Sequence, residues 1–302
     1  MITLQNVHKK FGARVAVQDL TLHVPRGEIF GLLGHNGAGK STAIGMMLGQ
    51  VWPTRGEVKV CGHDVTTQRA RALARVGAIF ETPAFYDYLS GRRNLEILCH
   101  YSAPTAPARI REVVSWVGLT GREESAVKTY SHGMRARLAI AQALLPQPEL
   151  LIFDEPGSGL DPEGIAEMRE TITQLHGELG LTILLSSHLL SEVEQLCTRI
   201  AVLNQGRKVF EGRIADVKAG RGRVMLRTPD FAAATARLRE RGVITDSANG
   251  RFITLSEGRT TAEAARVLVE ANLPVEGIWP EEQTLEDFYL SLVKAAPPAN
   301  DH

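Results

Sequence analysis

The chain has 302 residues, 44% of them hydrophobic, which is enough for one large domain and a smaller one. Its 34 Lys and Arg residues equal its 34 Asp and Glu residues, so no overall positive field exists to attract nucleic acid or an anionic membrane. Cys61, Cys99 and Cys197 lack the spacing of a zinc site or a disulfide framework, which is typical of a reducing compartment. We find no signal-peptide or membrane-span pattern, and therefore expect a globular, cytoplasmic protein with no nucleic-acid partner.

The first informative element is a strand followed by a glycine-rich loop. The apolar run EIFGLL at residues 28–33 predicts a buried strand, and apolar residues at helical spacing follow Lys40. Between them, the glycines let the backbone approach an anion, Lys40 adds a positive charge, and Ser41 offers a hydroxyl to Mg2+. This spacing predicts a site for the phosphates of a nucleotide such as ATP. The loop residues are Gly34, His35, Asn36, Gly37, Ala38, Gly39, Lys40, Ser41 and Thr42.

Two later strands are predicted to end at the same edge of the sheet. The run LLIF at residues 150–153 is apolar throughout, as in a strand covered on both faces, and Asp154 and Glu155 follow it. Asp154 can reach Mg2+ directly or through water, and Glu155 can polarise the attacking water. The strand at residues 181–187 precedes His188, whose neutral imidazole can contact the γ-phosphate. Alone, the acidic pair would solvate a strand end and the histidine would be structural; together they indicate a nucleotide hydrolase.

The chain changes character after residue 219. GRGR at residues 220–223 is typical of a linker, and the patterns beyond it follow the order β-α-β-β-α-β of a ferredoxin-like α+β unit. Asn249 and Gly250 supply the hairpin turn. A helix at residues 283–293, capped by Thr284, and a frayed tail complete the chain. This segment shows no catalytic constellation, so binding or dimer support is the better hypothesis.

Several motifs in order resemble the ATP-binding subunit of ABC transporters. They are the phosphate loop, YSHGMRARLAIAQALL at residues 130–145, the strand LLIFDE, the turn GSGLD at residues 157–161, and His188. The resemblance covers nearly the first 220 residues. It implies an α/β P-loop NTPase at residues 1–219, with a RecA-like core, an antiparallel β subdomain and a helical subdomain at about 85–145. Residues 220–302 would then form the accessory domain.

The resemblance also implies a dimer with two ATP molecules at its interface. Ser131 and Gly133 of one copy would complete the site held by the phosphate loop of the other. Ser131 can also cap the helix that follows it. Asp161 matches the family's dimer-contact aspartate, and its local alternative is a helix N-cap before Pro162. A second copy of the chain is therefore one expected partner, and a separate membrane permease is the other.

Some positions depart from the commonest family pattern. Glu81 stands where most relatives carry a glutamine that binds Mg2+, and glutamate there resembles subunits that export peptide antibiotics or confer immunity to them. Phe11 occupies the position of the aromatic ring that stacks on adenine, although it also fits an ordinary apolar residue beside a turn. His35, His132 and Met134 replace residues that are usual in the phosphate loop and the signature, with little expected effect at His35.

The aromatic cluster Phe85, Tyr86 and Tyr88 follows Glu81, at the cleft where the family receives a helix of the permease. The rings are candidates for this docking surface, or for the core of the helical subdomain. The resemblance thus predicts the motor subunit of an ABC exporter, peripheral on the inner face of the membrane. The alternative is a non-transport ATPase of the same fold that acts as a nucleotide-gated interaction protein. A nucleotide kinase or small GTPase would leave the signature and His188 unexplained.

Overall fold

The computed structural model describes residues 1–80, 84–102, 107–218, 223–280 and 284–295. These residues group into two compact units: Met1–Ile214 together with the segment from Tyr289 onward, and Ala215–Phe288. In the described ranges, no helix has the length and apolar character needed to cross a membrane.

The first unit contains both β-strands and α-helices. In chain order they are β1 (Ile2–Phe11), β2 (Arg14–Val24), β3 (Ile29–Leu33), α1 (Lys40–Met47), β4 (Arg55–Val60), β5 (His63–Asp64), α2 (Arg69–Leu73), β6 (Val76–Ile79), α3 (Gly91–Ser102), α4 (Pro107–Trp116), a 3-10 turn (Val127–Thr129), α5 (His132–Leu144), β7 (Leu150–Asp154), α6 (Pro162–Leu179), β8 (Thr182–Ser187), α7 (Leu190–Leu196), β9 (Arg199–Asn204) and β10 (Arg207–Arg213). The remaining elements are α8 (Ile214–Lys218), β11 (Arg223–Arg227), α9 (Phe231–Glu240), β12 (Ile244–Ala248), β13 (Phe252–Leu255), α10 (Thr261–Glu270), β14 (Gly277–Pro280) and α11 (Leu285–Ala295).

A central six-stranded sheet, of order β10-β9-β3-β8-β7-β6, forms the frame of the first unit. All of its strands are parallel except β10, which pairs antiparallel with β9. Strands β3, β7 and β8 are buried along their whole length, which is why the middle of each strand is apolar without alternation. Their carboxyl ends meet at one edge, so the phosphate loop, the acidic pair and His188 follow neighbouring strands, as predicted.

A second, four-stranded antiparallel sheet has the order β2-β1-β4-β5. Strand β1 is mostly buried on one face at Ile2, Leu4 and Val7, with exposed residues between them. These side chains share a core cluster with Phe30 and Leu32 of β3. Burial of this apolar surface fixes the antiparallel sheet against the central sheet, and this places the β1–β2 hairpin next to the phosphate loop.

Helices α3, α4 and α5 lie in the region expected to form the helical subdomain, and α5 packs on β6 of the central sheet. A Cβ on Gly77 of β6 would lie 2.1 Å from the carbonyl oxygen of Ala143 in α5, so only glycine allows this approach. Tyr130, just before α5, donates from its hydroxyl to the carbonyl oxygen of Arg122. The signature helix is therefore anchored at both ends.

The second unit carries a four-stranded antiparallel sheet of order β12-β13-β11-β14. Helices α9 and α10 contribute Leu238 and Leu268 to its core. Asn249 and Gly250 both have positive φ angles, 54° and 67°, as a tight hairpin turn requires. This strand order is that of a ferredoxin-like unit, and the predicted fold class is confirmed. Thr284 caps α11, because its Oγ1 accepts a hydrogen bond of 3.1 Å from the Asp287 amide.

Candidate nucleotide site

The phosphate loop joins β3 to α1 at the strand-to-helix turn that its sequence predicts. Gly39 has a φ of 103°, and a Cβ there would lie 2.7 Å from the carbonyl oxygen of Ala16, so both conformation and space require glycine. Lys40 is buried, and its Nζ donates to the carbonyl oxygen of Gly34 over 2.7 Å. The lysine is thereby folded back over its own loop, with its charge next to the residues that follow β7.

Asp154 and Glu155 are held by a serine that the sequence reasoning did not single out. The parallel register of β7 and β8 places Asp154 opposite Ser186. The Ser186 hydroxyl donates to Asp154 Oδ1 over 2.6 Å and accepts from the Glu155 amide over 2.9 Å. One buried hydroxyl thus orients both carboxylate residues. The signal in the sequence was the pair of serines, Ser186 and Ser187, that follows the apolar residues of β8.

Glu155 lies between a cation and an imidazole. Its Oε1 is 3.1 Å from Lys40 Nζ, and its Oε2 is hydrogen-bonded to Nδ1 of His188. The Glu155 backbone has a φ of 53°, in the left-handed region that non-glycine residues rarely adopt. Such strain persists only where surrounding contacts hold it, and it is concentrated at functional sites. Here it turns the chain sharply at the end of β7.

These residues line one cavity of about 570 Å³. Its lining includes the predicted residues Phe11, Asn36, Gly37, Gly39, Lys40, Ser41, Thr42, Asp154, Glu155 and His188, together with Arg14, Ala16 and Ser158. The volume suits a nucleotide. Ala38, a residue of the loop itself, is fully buried. The His35 ring is within hydrogen-bonding distance of the Asn36 carbonyl oxygen and of Asn204, at 2.7 and 3.1 Å.

The cavity also offers the ligand chemistry that Mg2+ prefers. The Ser41 hydroxyl and the Asp154 carboxylate are hard oxygen donors that line the same cavity, and Asp154 is buried. These residues fit the ion. Glu81, the third predicted ligand, lies outside the residues that the structure describes. Over the described ranges, no group of three His, Cys, Asp or Glu side chains forms a further metal site.

The signature residues Ser131 and Gly133 do not line this cavity. Ser131 is exposed and caps α5, since its hydroxyl accepts from the Met134 amide over 3.1 Å. Asp161 caps α6 in the same way, through a bond of 2.8 Å from the Gly164 amide to its Oδ1, with Pro162 in the first helical position. Both predicted caps are confirmed. The structure therefore separates the signature from the phosphate loop of the same chain.

The aromatic ring of Phe11 makes a cation–π contact with a lysine of the same strand. The ammonium of Lys9 lies 4.6 Å from the ring centroid, a cation–π contact, and Phe11 as a whole is 49% exposed. Phe11 also lines the nucleotide cavity. This position is compatible with the stacking on a base that the family resemblance implies.

Burial changes the acidity of two groups behind the site. The pKa of Glu192, on α7, is raised chiefly by burial, with its Oε2 only 3.4 Å from the Ser187 hydroxyl. Burial also raises the pKa of the Cys197 thiol well above its usual range. Cys61, Cys99 and Cys197 are all free thiols in the structure.

Comparison with known proteins identifies the class to which this site belongs. The sequence model of the ABC transporter family matches residues 17–158. The bacitracin transport ATP-binding protein BcrA of Enterococcus faecalis is 36% identical over 97% of this chain and 96% of its own length. The daunorubicin resistance ATP-binding protein DrrA3 of Streptomyces coeruleorubidus is 35% identical over 96% and 95%. YhcH of Bacillus subtilis, an ABC transporter ATP-binding protein of uncharacterised role, is 37% identical over 97% and 95%.

A solved ATP-binding subunit of an ABC transporter is 29% identical and superposes with a TM-score of 0.64 over 72% of this chain and 92% of its own. CbiO1 of Clostridium perfringens, at 23% identity and a TM-score of 0.66 over 80% and 96%, shares the fold. The chain belongs to the ABC transporter family, as an ATP-binding subunit that hydrolyses ATP. The predicted assignment to the motor subunits of the drug- and antibiotic-exporting branch is confirmed.

Proposed function

We propose that two copies of this chain close on two ATP molecules, each held between the phosphate loop of one copy and Ser131 and Gly133 of the other. The observation that carries the proposal is the separation of these two parts within one chain. The cavity of Lys40 lacks the signature residues, while Ser131 and Gly133 stand at the N-terminus of a 13-residue helix. That helix end is suited to an anion. A second copy supplies what each site lacks.

Within one site, the chain's residues take distinct roles. Lys40 and the amide groups of the loop bind phosphate oxygens, and Ser41 and Asp154 hold Mg2+. The ion, when bound, neutralises charge that develops on the phosphates. Glu155 orients the attacking water, since its carboxylate projects from the strained turn into the cavity. His188, hydrogen-bonded to Glu155, contacts the γ-phosphate and stabilises its charge.

The proposed transport partner is a separately encoded membrane permease that docks near Glu81, Phe85 and Tyr86. Tyr86 and Tyr88 are 50% and 73% exposed, and their rings meet edge to face at 6.2 Å. Exposed aromatic pairs are typical anchors of protein interfaces. Docking there would hold the chain on the inner face of the membrane. The relatives named for bacitracin and daunorubicin favour antibiotic or peptide export, in preference to a non-transport role.

The decisive experiment replaces the proposed water-orienting group while keeping its size. Glu155→Gln should bind ATP and hydrolyse it at least about a hundredfold more slowly, since general-base catalysis contributes 10²–10⁴-fold. With ATP it should accumulate as a dimer in size-exclusion chromatography with light scattering. Glu178→Gln, an exposed residue on α6, is the matched control and should behave as the wild-type protein. Near-normal hydrolysis by Glu155→Gln would overturn the catalytic role, and a strictly monomeric variant would overturn the shared site.

A further inference from the structure

Arg14, the first residue of β2, lines the nucleotide cavity, and its side chain has no polar partner among the residues that the structure describes. It lines the same cavity as Phe11 and Gly37. Its Nη2 lies 3.9 Å from the point that a Cβ on Gly37 would occupy, so the guanidinium overhangs the phosphate loop. Arg14 makes neither a hydrogen bond nor an ion pair through its side chain with any described residue. A free guanidinium at this place has five donors available for an anion.

The other cation of the cavity is already engaged. Lys40 is hydrogen-bonded to its own loop and paired with Glu155 at 3.1 Å. The two carboxylates of Asp154 and Glu155 outnumber Lys40, so without Arg14 these groups would leave the cavity net negative. A polyphosphate entering a negative cavity is repelled, and the strength of this repulsion grows with desolvation. Arg14 supplies the charge that offsets it.

The position of Arg14 indicates which part of a nucleotide it meets. Phe11 and Arg14 are register partners at the end of the β1–β2 hairpin, so the arginine is across the turn from the ring expected to stack on the base. The lining of the same cavity also holds a second group of residues, in which Lys40 contacts Glu155 and Glu155 contacts His188. A nucleotide that spans from Phe11 to His188 therefore passes Arg14 with the phosphates nearest its ribose.

We propose that Arg14 is a nucleotide-binding residue that contacts the α- and β-phosphates. Its planar guanidinium can donate two parallel hydrogen bonds to phosphate oxygens, which an ammonium cannot match. Because these phosphates are common to ATP and ADP, Arg14 stabilises both complexes and does not distinguish between them. The inference rests on the proposed nucleotide pose, in which the base stacks on Phe11 and the terminal phosphate reaches His188.

The test measures binding of ATP and ADP, with Mg2+, by titration calorimetry to the full chain. Arg14→Gln should raise the Kd of both nucleotides about tenfold, and Arg14→Lys about threefold. In steady-state hydrolysis the KM should rise about as much as the Kd, with kcat changed less than threefold. Arg55→Ala is the matched control, because Arg55 is an exposed arginine of the same sheet that pairs with Asp19, outside the cavity. It should bind both nucleotides with the wild-type Kd.

The outcomes separate the new role from the pose on which it rests. An unchanged Kd in Arg14→Gln, with normal binding by the wild-type chain, would overturn the role of Arg14 alone. A loss confined to ATP would also overturn it, since it would place Arg14 at the γ-phosphate. Failure of Phe11→Ala and Lys40→Ala to weaken binding would overturn the pose itself. Equal losses for ATP and ADP in Arg14→Gln, partly rescued in Arg14→Lys, are the expected result.

Discussion

Asp161 performs one role that the structure shows and one that the family resemblance implies, and substitutions at this residue can separate them. As the N-cap of α6 it accepts a hydrogen bond from Gly164 over 2.8 Å, and as a dimer contact it would act only when two copies meet. Asp161→Asn retains an oxygen acceptor at the same position, whereas Asp161→Ala removes it. Asn and Asp are nearly equivalent as N-caps, but only Asp carries the negative charge.

The expected destabilisation of the Asp161 variants is the sum of two local contributions, the capping hydrogen bond and the charge at the N-terminus of α6. Loss of the capping hydrogen bond costs about 1 kcal/mol, and loss of a negative charge at the helix N-terminus costs ~0.3 kcal/mol at an exposed position. Asp161→Ala loses both, and Asp161→Asn loses only the second. For a chain of this size about 1 kcal/mol lowers the Tm by ~2–4 °C. We therefore expect a drop of about 3–5 °C for Asp161→Ala and about 1 °C for Asp161→Asn.

Thermal melting of the nucleotide-free chain measures the cap, and ATP-dependent dimerisation in the Glu155→Gln background measures the contact. Both Asp161 variants should weaken the dimer when tested well below their Tm. Ser90→Ala is the control, because the Ser90 hydroxyl accepts from the Arg93 amide at the start of α3 and has the same capping role away from α6. It should lower the Tm without changing dimerisation. Two results would refute the separate roles of Asp161: an Asp161→Asn variant that melts as low as Asp161→Ala, or a Ser90→Ala variant that weakens the dimer equally.

Two further predictions concern the proposed permease-docking residue Tyr86 and the partly buried carboxyl group of Glu192. Tyr86→Ala should lower recovery of the permease from detergent-solubilised membranes several-fold, whereas Trp52→Ala, the control at an equally exposed aromatic residue, should not. The loop should keep its shape in the variant, because Asn94 hydrogen-bonds the backbone of residue 86. Unchanged recovery of the permease together with a lowered Tm would indicate that Tyr86 belongs to the core instead. Burial raises the pKa of Glu192, so its ionised form destabilises the fold above that pKa. Glu192→Gln should raise the Tm at pH 8 relative to the wild-type chain. This gain should disappear below about pH 4, where the carboxyl group is protonated in both the folded and the unfolded chain. A gain in Tm that persists in acid, or an equal gain in Glu178→Gln, would contradict the electrostatic cause.

Much of this site is local in sequence, and for that reason it was predictable. The strand-to-helix turn before Lys40, the acidic pair after β7 and the caps at Ser131 and Asp161 each depend on residues a few positions apart. The hairpin at Asn249 and Gly250 is equally local, since both residues tolerate the positive φ that a tight turn demands.

The parts that escaped prediction depend on which distant residues meet. Ser186 reaches Asp154 only because β7 and β8 are parallel neighbours in a particular register. The two serines that close β8 mark a polar strand end, but they do not indicate which carboxylate lies opposite. Arg14 lines the cavity because the hydrophobic core beneath β1 places the β1–β2 hairpin beside the phosphate loop. The left-handed backbone of Glu155 is set by tertiary contacts, since a free chain would disfavour that conformation at a non-glycine residue.

The chain leaves the first unit after Ile214 and rejoins it at Tyr289, so the second unit is an insertion in the first. A truncation after residue 214 would therefore also delete the segment from Tyr289 onward that belongs to the first unit, and its effects would mix two causes. Excision of residues 215–288 with a short joining peptide would remove the insertion alone and retain the segment that follows. Exchanging that insertion between relatives would then assign its contribution to each transporter, independently of the ATPase that carries it.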